Sequence, residues 1–255
     1  MHDTATLPLD LLKRVLTGTV DAVEPDFDRG TSDSRFMVDF LRHYIRGDAV
    51  TMLPRRRLDH LQQCIETVLR EGVPGDLLEA GVWRGGATIF MRAVLAAQGE
   101  TERRVWVADS FEGLPPPDAA RHPREAQAYA GPVMRDAMSR LAVGIEQVRA
   151  NFQRFGMLDD RVRFLPGWFQ DTLPGAPIGP LAVLRIDCDF HDSTLQVLEA
   201  LYDRLSPGGY LIVDDYGEDA WTHCREAVDG FRQRRGIHEP LVHVDATCAG
   251  WRRSR

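Results

Sequence analysis

Apolar positions follow two rhythms along this chain. Between residues 55 and 70 they recur at three- and four-residue steps, through Leu58, Leu61, Ile65, Val68 and Leu69, the period of one helix face. The run stops at Gly72, with Pro74 just beyond, as a helix end should. Short apolar runs then alternate with helical periods. Strands are expected at 77–81, 105–109, 162–165, 181–186 and 210–213, and helices at 87–97, 138–155, 193–205 and 220–235. Pro207-Gly208-Gly209 is expected to end the third of these helices, and 241–244 with 249–253 read as a closing antiparallel pair. Residues 113–135, rich in Pro, Asp and Ala without a period, read as a long surface loop or lid.

The first 50 residues differ. Leu9, Leu11, Leu12, Val15 and Leu16 suggest a short amphipathic helix, 24–34 a polar loop, and Phe36, Val38, Phe40, Leu41, Tyr44 and Ile45 a second helix. The division is a helical extension over 1–54 and a main domain over 55–255. The extension reads as a lid, an oligomer contact or a decoration on the core. Apolar strands alternating with helices imply a parallel sheet covered on both faces. The fold class is therefore α/β, an open doubly wound sheet whose ligands lie beyond the carboxyl ends of the strands.

Composition changes this picture only by exclusion. A chain of 255 residues, 44% hydrophobic and 27% charged, buries a core without staples. A net charge of −7 carries no footprint for nucleic acid or anionic membranes. No apolar run approaches a membrane span, and Met-His-Asp-Thr at the start lacks the features of a leader, so a cytoplasmic protein is expected. Cys64, Cys188, Cys224 and Cys248 show no metal-type spacing and read as free thiols. Lys13 is the sole lysine, which excludes P-loop, Schiff-base and kinase-type lysine chemistry in the body of the chain.

The chemistry-bearing residues follow the strands. Glu79-Ala80-Gly81-Val82-Trp83-Arg84-Gly85-Gly86 is a glycine-rich turn. It is either a backbone approach to a ligand or an ordinary strand-to-helix turn. Asp109-Ser110 ends the next strand, where a carboxylate can grip a ribose diol or cap a helix. It lies 30 positions after Glu79, longer than the ~20 of the dinucleotide fingerprint. Asp187-Cys188-Asp189 and Asp214-Asp215 end two consecutive apolar strands. Four carboxylates there repel one another unless a cation neutralises them, and an oxygen-only set suits Mg²⁺. Which oxygens reach the ion is open. Trp168 and Phe169 either flank a planar base or pack in the core. His191 and His223 read as pocket-wall or surface residues rather than bases, and Arg55-Arg56-Arg57 as the start of a solvated helix.

Four stretches, 75–86, 105–111, 163–169 and 205–216, together resemble the macrocin O-methyltransferase family, from about residue 50 to 254. Its members methylate sugar hydroxyls of macrolides and related antibiotics such as mycinamicin and the aminocoumarins. The resemblance implies a class I, Rossmann-like fold dependent on S-adenosylmethionine and Mg²⁺. It places Glu79, Gly81, Arg84, Gly85 and Gly86 around the cofactor, with Asp109 on its ribose hydroxyls, Ser110 alongside, and Thr51-Met52 as a segment reaching it; Trp168, from its place after the 162–165 strand, is the further cofactor-binding candidate. It makes Asp187, Asp214 and Asp215 the metal ligands and Asp189 the general base. It also implies a glycosylated natural product as acceptor and a homo-oligomer. Cys188 departs from the family's usual glycine, and Phe190-His191 from a Tyr or small polar residue; residues 1–50 and 113–135, the parts expected to touch the acceptor, match poorly.

Other chemistries fit less of the chain. Asp187-Cys188-Asp189 mimics the D-x-D of a Mg²⁺-dependent phosphatase or a nucleotide-sugar glycosyltransferase. The first carries that motif on its first strand and needs a downstream lysine; the second leaves 79–86 and Asp214-Asp215 unexplained. The glycine spacing of a nicotinamide dehydrogenase is missing. A binding protein that retains the cofactor pocket but lacks catalysis is a further alternative, and the four kept acids argue against it.

Overall fold

Seven strands form one sheet in the order β3-β2-β1-β4-β5-β7-β6. β1 (Asp76–Ala80), β2 (Val105–Asp109), β3 (Val162–Pro166), β4 (Leu181–Ile186) and β5 (Leu205–Val213) run parallel. β7 (Ala249–Arg252) is antiparallel to both β5 and β6 (Val242–His243). This computed structural model describes residues 8–26, 34–45, 47–131, 140–217 and 221–254. Among them no helix is long and apolar enough to cross a membrane.

Strand alternation sorts the core into two layers. Leu77, Val105, Val107, Val183 and Ile212 face one side, with α3 (Arg55–Arg70), α4 (Gly86–Ala97) and α6 (Ile145–Arg154) packed on it. Leu78, Trp106, Ala108, Leu184 and Ile186 face the other, under the short α7 (Phe169–Thr172), α8 (His191–Leu201) and α9 (Thr222–Arg235). Both faces are thus buried, which is why these strands are almost wholly apolar. The amino-terminal α1 (Leu9–Leu16) adds Leu12 and Leu16 to the first layer, so the extension and the sheet share one core. α2 (Ser34–Phe40) continues as a π-turn over Leu41–Ile45.

Three expectations need correction. The 113–135 segment holds a helix, α5 (Pro123–Ala130), with Pro123 opening its first turn. Only Glu125 of it is buried, so no apolar period betrays it. Residues 132–135 of that segment lie outside the described residues, as do 138–139 of the helix expected at 138–155, Ala220 of the helix expected at 220–235 and 27–33 of the polar loop. The 138–155 helix is interrupted at 142–144 and restarts after Gly144, whose ψ is 150°. Pro207-Gly208-Gly209 lies inside β5 rather than ending a helix. The register jumps from Leu181↔Leu205 to Val183↔Tyr210, so these residues loop out. A Cβ on Gly209 would sit 2.9 Å from the Ala182 carbonyl.

Candidate active site

The chain reverses its winding direction between β1 and β4, the neighbours at the centre of the sheet, and a crevice opens beyond their carboxyl ends. Gly81 is the hinge of that crevice. Its φ is +83°, and a Cβ there would lie 1.7 Å from the Asp187 carbonyl oxygen. Gly81→Ala therefore must push β1 and β4 apart. It is expected to cost more than about 2 kcal/mol, from left-handed strain and overpacking together, read by denaturant unfolding.

Two adjoining clefts fill the crevice. One is lined by Gly81, Asp109, Ser110, Trp168, Phe169 and Asp187, among others. The other adds Met52, Trp83, Leu141 and Asp189. Asp109 accepts the Val82 N–H at 2.7 Å and the Phe111 N–H at 2.8 Å. Burial raises its carboxyl, and these amides oppose the rise. Ser110 donates to the Gly113 carbonyl at 2.8 Å and shapes the loop after β2.

The remaining glycine-turn residues act through backbone and packing. Gly85 (φ +84°) opens α4, and Gly86 lies so close to the extension that a Cβ would meet Val50 O at 2.5 Å and Thr51 Cβ at 2.6 Å. Arg84 donates through Nη1 to the Gly47 and Ala49 carbonyls at 2.9 and 2.6 Å. Thr51 is buried and its Oγ1 accepts the Leu53 N–H at 3.2 Å. Arg84 and Gly86 clamp residues 47–51 onto the turn, and neither they nor Gly85 and Thr51 line either cleft. Glu79 does not line one either. It pairs across strands with Arg185, its register partner on β4.

The acids after β4 and β5 converge. Single carboxylate oxygens of Asp187, Asp214 and Asp215 all lie within 4.8 Å of one another. Asp189 adopts φ +59°, its N–H donates to Asp215 Oδ2 at 2.8 Å, and its Oδ1 accepts the Trp221 Nε1–H at 3.3 Å. Cys188 turns its thiol to the Ala80 carbonyl at 3.5 Å. Burial, and then the neighbouring carboxylates, push Asp187 and Asp215 well above the usual carboxylate range. Burial also raises Asp189, against the Trp221 hydrogen bond.

Two arginines stand behind this cluster, and sequence reading missed both roles. Arg185, 1% exposed, reaches Glu79, Asp187 at 3.0 Å and Asp214 at 2.5 Å. Arg57 is buried, not on a solvated helix face: it donates to Asp214 Oδ2 at 2.6 Å, and to both Asp245 oxygens at 2.7 and 2.8 Å. Burial works to raise Asp214, but Arg185 and Arg57 outweigh it and hold the carboxyl down. Burial lifts Glu79 to about 7 even against Arg185. The available signal was an arginine inside an otherwise apolar strand, which demands buried acids as neighbours.

A model described as macrocin-O-methyltransferase (TylF) matches residues 46–253, a span that contains every residue of this site. The chain belongs to the macrocin-O-methyltransferase family. It is an O-methyltransferase with the class I, Rossmann-like fold. Within the family, it is 51% identical over 261 residues to the 8-demethyl-8-(2,3-dimethoxy-alpha-L-rhamnosyl)-tetracenomycin-C 4'-O-methyltransferase of Streptomyces olivaceus, covering 98% of this chain and 94% of that one. It is 50% identical over 206 residues to the mycinamicin III 3''-O-methyltransferase of Micromonospora griseorubida, covering 81% and 79%. The solved structure of the O-methyltransferase NovP superposes with a TM-score of 0.81 at 44% identity, covering 97% and 98%.

Proposed function

We propose that this chain transfers a methyl group from S-adenosylmethionine to a hydroxyl of a deoxysugar on a glycosylated natural product, with Mg²⁺ held by Asp187, Asp214 and Asp215. The observation that carries the reading is the convergence of those three carboxylates beside Asp189 and the Gly81–Asp109 cleft. The names of the relatives support a sugar acceptor, since two of them act on a rhamnosyl-bearing tetracenomycin and on mycinamicin III.

The donor set fits a hard divalent ion. It is all oxygen, and its charge is uneven. The two buried guanidiniums are spent chiefly on Asp214, Glu79 and Asp245. Asp187 has one arginine contact, and Asp215 faces carboxylates and a backbone N–H. The surplus negative charge therefore sits where a cation would be bound. Such an ion supplies Lewis-acid polarisation and a template for the acceptor oxygens.

The chain's own residues do the rest. Trp221 fixes one oxygen of Asp189 and the Asp215 contact fixes its backbone, so the other oxygen is left to take the acceptor's hydroxyl proton. Burial keeps that carboxyl a better proton acceptor than an exposed one. Asp109 lines the cleft at the end of β2, where its carboxylate would accept the hydroxyls of the donor's ribose. Trp168 and Phe169 wall the same cleft and offer apolar faces to its base.

A methyl-transfer assay against a panel of deoxysugar-bearing natural products, read by the mass gain of one CH₂, tests the reaction. Product with at least one glycoside and none with its aglycone is expected; methylation of aglycones alone would refute the sugar assignment. Chelation is expected to abolish turnover and added Mg²⁺ to restore it. Undiminished turnover after exhaustive metal removal would refute the metal role.

A further inference from the structure

We propose that His122, His191 and Asp192 form a second metal site, distinct from the oxygen cluster, that takes a Zn²⁺-class transition ion and ties α5 to α8. His122 Nε2 lies 3.0 Å and His191 Nδ1 3.1 Å from the same atom, Asp192 Oδ1. The chosen atoms of all three side chains fall within 4.8 Å of one another. The two rings lie side by side, with centroids 4.4 Å apart and planes 33° apart. A tetrahedral ion with nitrogen and oxygen bonds near 2.1 Å needs ligand atoms about 3.3 Å apart, so small side-chain shifts open the centre.

The chemistry differs from that of the first site. Two imidazoles and one carboxylate favour zinc-class ions, whereas the oxygen cluster favours Mg²⁺. Each imidazole would coordinate through the ring nitrogen that now faces Asp192, with its ring proton on the other nitrogen. The ligands are preorganised from both sides. His122 precedes Pro123, which restricts its backbone, while His191 and Asp192 open α8. Arg121 Nη1 grips Asp192 Oδ2 at 2.8 Å, which leaves Oδ1 as the converging atom. Glu125, buried on α5, accepts the backbone N–H of His191 at 2.8 Å and holds the start of α8 against α5. Side-chain exposures of 17%, 20% and 29% for His122, His191 and Asp192 leave an entry path and room for water as a further ligand.

The test uses the full chain and Co²⁺ as probe, with Mg²⁺ in large excess to fill the oxygen cluster. One Co²⁺ per chain is expected, with the intense visible band of a nitrogen-bearing tetrahedral centre. The imidazole proton resonances of unmutated protein should shift with it, a readout that needs no variant. Affinity should fall more than about 100-fold in His122→Ala and in His191→Ala, since removing a ligand exceeds the effect of removing its outer partners. Asp215→Asn should keep the band. Thermal unfolding of each variant without metal checks that it folds. Co²⁺ binding that survives both histidine changes but vanishes in Asp215→Asn would overturn the proposal, as would the absence of any Mg²⁺-resistant binding in the unmutated chain.

Discussion

Asp189→Asn is expected to lower turnover by about 10²–10⁴-fold, the range of a lost proton acceptor, while leaving the binding of S-adenosylhomocysteine unchanged. The amide keeps the size of the side chain, and its oxygen still accepts the Trp221 N–H that reaches Asp189 at 3.3 Å. What it loses is the capacity to take a proton. Asp189 also needs no new backbone strain, because the φ of +59° is one that asparagine tolerates. Single-turnover methyl transfer and calorimetry separate the two effects. Turnover near that of the unmutated enzyme would remove Asp189 from the chemistry altogether.

Arg185→Leu should be the most damaging substitution for the fold. The guanidinium is 1% exposed and touches Glu79, Asp187 and Asp214. Removing it leaves the buried Glu79 and Asp214, and the half-buried Asp187, short of a partner, and breaking a buried pair in this way costs about 3–5 kcal/mol. The variant is expected to unfold at markedly lower denaturant. Adding Glu79→Leu should recover part of the loss, since the two side chains are cross-strand neighbours and an apolar pair replaces a buried ionic one at little cost. A double variant as unstable as the sum of two independent losses would show that the pair is not coupled.

These residues also mark how far the sequence could be read. The parallel strands were legible because runs such as Leu181–Ile186 are apolar on both faces but for Arg185, and the acids were legible because they end such runs. Arg57 was not, because an arginine beside Arg55 and Arg56 has the pattern of a wetted helix start. Only the tertiary approach of Asp214 and Asp245 makes it a buried ion. The family resemblance places Glu79 by the cofactor; strand alternation, which the glycines beside it do not reveal, turns its side chain to the layer that holds Val183 and Arg185. α5 escaped because its buried contact is a carboxylate rather than a stripe of apolar side chains. The loop-out at Pro207-Gly208-Gly209 escaped because those residues end helices more often than they interrupt strands.

The clamp of Arg84 and Gly86 on residues 47–51 bears on how specificity could be engineered here. A chimera that borrows another enzyme's amino-terminal segment, joined at residue 54, would import a foreign strap onto a native loop and misfit both. The seam belongs upstream of Gly47, so that strap and loop travel together as one inherited part.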